Sequence, residues 1–138
     1  KKYQISIIVG RNYLHIEQLK DMILEFSNIS INISPENIAE LFSKQDLVIS
    51  SSGITSYELA RLGVPTIFIP VVDHQEPTAI EFSKKGFGIN YGKWDFDFKR
   101  LENTIIQLES LTKREEMYQN GRKIVDGEGI SRMLKIII

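Results

Sequence analysis

The sequence has 138 residues, 42% hydrophobic and 25% charged, which suits one globular domain with a full core and leaves too little chain for two ordinary ones. Seventeen Lys and Arg stand against eighteen Asp and Glu for a formal net charge of -1. No run of like charge stands out, so the footprint of a nucleic-acid or membrane-surface binder is missing. The absence of cysteine excludes a disulfide framework, a thiolate metal site and a cysteine nucleophile, and it fits a reducing, cytoplasmic compartment.

Lys1-Lys2-Tyr3-Gln4 leads straight into an apolar run without a signal-peptide pattern, and no stretch nears the roughly 20 apolar residues that span a bilayer. With no initial methionine, the chain is expected to be an excised piece of a longer polypeptide. Strands are predicted over residues 4–9, 29–33, 46–50, 65–70 and 87–91, where apolar, β-rich runs end in turn residues. Between them, apolar residues recur at helical spacing: Ile16, Leu19, Ile23 and Phe26, then Ile38, Leu41 and Phe42, then Leu59 and Leu62, then Ala79, Ile80 and Phe82. From Leu101 the pattern is helical to the end, apart from breaks expected near Asn120-Gly121 and Asp126-Gly127.

Leu47-Val48-Ile49 and Thr66-Ile67-Phe68-Ile69 are continuous apolar runs, as strands covered on both faces require, which places both at the centre of a sheet. The alternating order predicts an α/β fold: one domain over 1–138, with a Rossmann-like parallel sheet of about five strands and helices on both faces. Ligands of such sheets sit beyond the carboxyl ends of the strands, so function is sought in the loops that follow them.

In Asp46-Leu-Val-Ile-Ser-Ser-Ser-Gly-Ile-Thr-Ser-Tyr-Glu58 an apolar strand ends in hydroxyl residues and a glycine and turns directly into a helix. Unpaired N–H groups at a helix start attract an anion, small residues let a diphosphate approach, and Ser51, Ser52 and Thr55 add hydroxyl donors. Thr55 and Glu58 also have capping-box spacing, and Gly53 could simply make the turn, so a purely structural reading stands beside the ligand one. In Val71-Val-Asp-His-Gln-Glu-Pro77, His74 and Gln75 both donate and accept hydrogen bonds and suit sugar hydroxyls, while Asp73 or Glu76 could cap the next helix.

Asp95-Phe-Asp97 has the look of an acidic metal pair, but Asp97 reads better as a helix N-cap. His15 is expected to be a solvated loop histidine, and the glycosylation-type triplets at Asn28 and Asn32 are discounted because nothing else points to secretion.

Taken together, residues 46–66, His74-Gln75, Lys85-Gly-Phe-Gly88 and Val125-Asp-Gly-Glu-Gly-Ile-Ser-Arg132 resemble the C-terminal half of GT-B nucleotide-sugar proteins. The resemblance is strongest to the branch holding the UDP-sugar hydrolase of pseudaminic acid biosynthesis and the spore-coat polysaccharide protein SpsG, and more distant to MurG. It implies that Ser52, Gly53, Ile54 and Thr55 receive a diphosphate, that Glu58 accepts from ribose hydroxyls, and that the Ile33 backbone holds uracil. His74 and Gln75 would lie near the sugar, where His74 departs from the family's Asn-Gln or Gln-Gln pair. The first βα unit with its Gly-Gly loop, and an N-terminal domain of the same polypeptide carrying the catalytic base, are missing from this stretch.

The implied ligand is a UDP-sugar bound without metal or cofactor. The leading expectation is part of a UDP-sugar hydrolase of surface or nonulosonic acid polysaccharide biosynthesis, inactive as a fragment. The alternatives are the donor-binding domain of a GT-B glycosyltransferase and a non-catalytic sugar-nucleotide module fused to a synthetase. Neither nucleic acid nor direct membrane insertion is expected.

Overall fold

The computed structural model describes residues 2–93 and 97–138. Five strands alternate with helices in the predicted order: β1 (Ile5–Val9), α1 (Ile16–Ile23), β2 (Ile29–Ile33), α2 (Ile38–Ser43), β3 (Val48–Ser50), α3 (Thr55–Leu62), β4 (Thr66–Phe68), α4 (Glu76–Lys84), β5 (Gly88–Asn90), α5 (Phe98–Gln107), α6 (Leu111–Ile124) and α7 (Gly129–Ile137). A single 3-10 turn, Asp73–Gln75, leads into α4. All pairings are parallel, in a two-stranded sheet β1-β2 and a three-stranded sheet β3-β4-β5. The five strands are thus laddered as two and three, and the chain groups into two compact units, Lys1–Ile38 and Ala39–Ile138.

In the first unit β1 and β2 run in register from Ile5 opposite Ile29 to Val9 opposite Ile33. Asn32 Nδ2 donates to Ser6 Oγ at 2.7 Å, and Asn28 Nδ2 to the Tyr3 carbonyl at 2.8 Å. His15 stands at the start of α1 without capping it, exposed, its ring edge-on to Tyr13.

In the second unit β4 is covered on both faces, which the pleat turns into two separate packing layers. Ile67 and Ile69 meet Tyr91, Leu108 and Met117, with Leu101 and Ile105 beside them, so α5 and α6 cover one face. Phe68 faces the other way into rings of Phe82 and Phe87. The expected position of β3 requires correction: it is the edge of this sheet, and Ile49 is 47% exposed. Its N–H and C=O alternate, so Val48 and Ser50 bond β4 while the Ile49 groups point to the other side.

Gly63 ends α3 in the left-handed conformation at φ 75°, its N–H bonding the Ala60 carbonyl and the Val64 N–H the Leu59 carbonyl, both at 3.0 Å. Gly121 does not break the helix as expected. It sits buried inside α6, where an added Cβ would stand 2.6 Å from the Phe87 ring and 2.9 Å from the Ala60 carbonyl, so it is the point of close approach to α3. The break falls instead at 108–110, where Ser110 caps α6 by accepting from the Lys113 N–H.

Candidate functional site

Residues 51–54 carry the chain from the carboxyl end of β3 into α3. The Ser56 and Tyr57 N–H groups already bond the Gly53 and Ile54 carbonyls, each at 3.0 Å. The N–H groups of Ser52, Gly53, Ile54 and Thr55 meet no protein acceptor among the described residues. Those of Ile54 and Thr55 are orphan donors of the α3 start, at the positive end of its dipole, and those of Ser52 and Gly53 lie on the turn just before it.

The capping box is not formed. Ile54 occupies the cap position with helical angles and no side-chain cap bond, which places Thr55 inside the first turn, one residue too far along to cap. Glu58 is exposed and its side chain makes no hydrogen bond or ion pair among the described residues. Gly53 does not adopt a positive φ, and the nearest atom to an added Cβ is Gln75 Nε2 at 3.6 Å, an ordinary contact. Neither the turn nor its packing demands glycine, which corrects the reading of Gly53 as a turn-maker.

Of the three expected hydroxyl donors, Ser51 and Thr55 keep their side-chain oxygens unpaired among the described residues. Ser52 does not: it is 2% exposed, and its Oγ donates to the Gln75 carbonyl at 2.7 Å. This corrects its reading as a hydroxyl donor to ligand. Gln75 is held again by its own side chain, whose Oε1 accepts from the Val71 N–H at 3.0 Å. The structure therefore brings Ser52, Gly53 and Gln75 together at the ends of two neighbouring strands.

His74 is exposed beside them on the 3-10 turn. Asp73 and Glu76 cap nothing: Lys93 Nζ stands 2.9 Å from Asp73 and 3.5 Å from Glu76, and the Lys93 ammonium holds the Asp73 carboxyl below its usual range. Val71 and Lys93 were not foreseen, since Val71 acts through its backbone and Lys93 lies twenty residues from its partner. Ile33 ends β2 in the other unit, half exposed, and the following Ser34 takes the unusual φ of 43° while its N–H bonds the Val9 carbonyl at 2.9 Å.

Asp97 accepts from the Arg100 N–H at 3.0 Å as the N-cap of α5, and Asp95 lies outside the described residues. Among the described residues no group of three or more His, Asp or Glu could hold a metal, and no helix is long and apolar enough to cross a membrane.

Compared with known proteins, residues 1–131 match the family described as Glycosyltransferase family 28 C-terminal domain. The chain belongs to this family. The family 28 match spans both turns of the site and residues 33 and 58. A relative from Oenococcus oeni, a UDP-N-acetylglucosamine--N-acetylmuramyl-(pentapeptide) pyrophosphoryl-undecaprenol N-acetylglucosamine transferase, is 29% identical over all of this chain and 39% of its own length. The Bacillus subtilis spore coat polysaccharide biosynthesis protein SpsG is 26% identical over 99% of this chain and 41% of its own. Among solved structures, Acinetobacter baumannii MurG superposes with a TM-score of 0.81 at 21% identity, over 99% of this chain and 42% of MurG.

The glycosyltransferase of kitacinnamycin superposes with a TM-score of 0.70 at 13% identity, over 97% of this chain and 42% of that one. These likenesses show the GT-B C-terminal, Rossmann-like fold. The chain spans about two fifths of the length of the relatives it matches.

Proposed function

We propose that this family 28 domain binds the nucleotide-sugar donor of a glycosyltransferase, with UDP as the nucleotide. The observation that supports it most is the run of four N–H groups from Ser52 to Thr55 without acceptors among the described residues, beside a glycine the fold does not itself require. In this reading the N–H groups of residues 53–55 and the Ser51 and Thr55 hydroxyls hold the diphosphate. They stabilise the charge that gathers on it as an acceptor oxygen attacks the anomeric carbon and the bond to the diphosphate breaks.

Glu58 accepts from the ribose hydroxyls, and His74 and Gln75 face the sugar. An N-terminal domain of the same polypeptide supplies the acceptor cleft and the base, in the cytoplasm. Transfer is favoured over the expected hydrolysis, because the family is described as glycosyltransferases and the Oenococcus relative is named as a transferase from a UDP-sugar. The roles proposed here need no metal.

Binding calorimetry tests the reading. UDP should bind at least tenfold more tightly than uridine, since charge-assisted bonds to a diphosphate are worth roughly 1.5–3 kcal/mol each. Equal affinities for the two would contradict it.

A further inference from the structure

We propose that Ser52 is a positioning residue: its hydroxyl latches the turn 73–75 onto the turn 51–54 and so fixes which group Gln75 presents beside Gly53. The latch stands on geometry alone, and only its effect on ligand rests on the nucleotide reading above. The Ser52 hydroxyl is buried, and its bond to the Gln75 carbonyl, 2.7 Å long, joins residues 23 apart in sequence. A buried hydroxyl is costly to leave unpaired, so the bond favours one placement of the two turns.

The second half of the latch orients the carboxamide. The Val71 N–H lies 3.0 Å from the Gln75 side chain, and a backbone donor can be met there only by Oε1. Nε2 is thereby left on the opposite side, 3.6 Å from the place a Cβ on Gly53 would take, with no acceptor among the described residues. Gln75 thus presents the donor end of its carboxamide beside Gly53. It matches an oxygen acceptor on a ligand, phosphate or carbohydrate, that comes up against the Gly53 turn.

Amide hydrogen exchange on the 138-residue chain tests the latch without ligand. In Ser52→Ala, exchange at Val71 and Gln75, whose N–H groups bond Gln75 Oε1 and the Val72 carbonyl, should quicken about fivefold relative to amides of β4. An unchanged ratio would overturn the proposal. In Gln75→Ala, exchange at Val71 alone should quicken, which keeps the test valid if Ser52→Ala does not fold. Exchange at Val71 that matches wild type would count against the proposal.

UDP titration of wild type, Ser52→Ala, Gln75→Ala and the double variant then asks whether Ser52 acts through Gln75. The double variant should lose no more affinity than Gln75→Ala alone, whereas losses that multiply would reject the assigned role. A wild type that does not bind UDP, with the exchange pattern as expected, upholds the latch and removes the nucleotide reading.

Discussion

Glu58 and Gly53 separate a ligand role from a folding role, because the fold makes no use of either. The Glu58 side chain has no partner among the described residues, so Glu58→Gln should change stability by less than about 0.5 kcal/mol while weakening UDP about tenfold through the lost charged acceptor. A loss of stability as large as the loss of affinity would return Glu58 to a structural role. Gly53→Ala has room for its methyl and should leave urea unfolding unchanged or slightly favoured, yet the methyl would meet an approaching phosphate and abolish measurable UDP binding. Retained binding would show that the turn is not the cradle. Ser56 tests the accounting from the other direction: its Oγ is buried with no partner among the described residues, so Ser56→Ala should stabilise the chain by about 0.5–1 kcal/mol in urea unfolding. A destabilised variant would reveal a use for that hydroxyl.

Gly121 is the element-scale counterpart, since α6 comes closest to the Ala60 carbonyl of α3 where it lacks a side chain. With the Ala60 carbonyl 2.9 Å from an added Cβ, Gly121→Ala should cost about 1–3 kcal/mol by overpacking, read as a lowered urea midpoint. An unchanged midpoint would mean that the helices part without cost. At the start of α7, Asp126 accepts from Arg132 at 2.6 Å and from the Glu128 N–H, and these bonds pull its carboxyl down to about 2. A depressed carboxylate lends support above its ordinary value and loses it as pH falls, so this contact should be whole at pH 5 and open as pH drops through about 2. A carboxyl titration by NMR with a midpoint near the ordinary value would contradict the contact.

These elements also show where sequence patterns mislead. Strand positions were legible because apolar runs bounded by turn residues leave few other options. Gly121 read as a breaker because its reason lies on Phe87 and Ala60, which no local window contains. β3 read as central because continuous apolarity marks burial but does not name the neighbour, and Ile49 stands half exposed.

At the scale of the whole molecule, the fold was more legible than the site. Alternating strands and helices announced a parallel α/β chain, and the block from Asp46 to Thr66 pointed to the family. Within the site, residue type singled out Ser52 and Gln75 but did not show that one holds the other, because a hydrogen bond across 23 residues leaves no periodic trace. The capping box failed for a related reason: its spacing is present, but the helix begins one residue early.

The account stands on the N–H groups of residues 53–55 being a diphosphate cradle, and amide NMR during a UDP titration measures that directly. The resonances of residues 52–58 should shift together and saturate with UDP while those of α5 stay still. If they hold their positions at millimolar UDP, or move no more than α5 does, the cradle assignment is wrong.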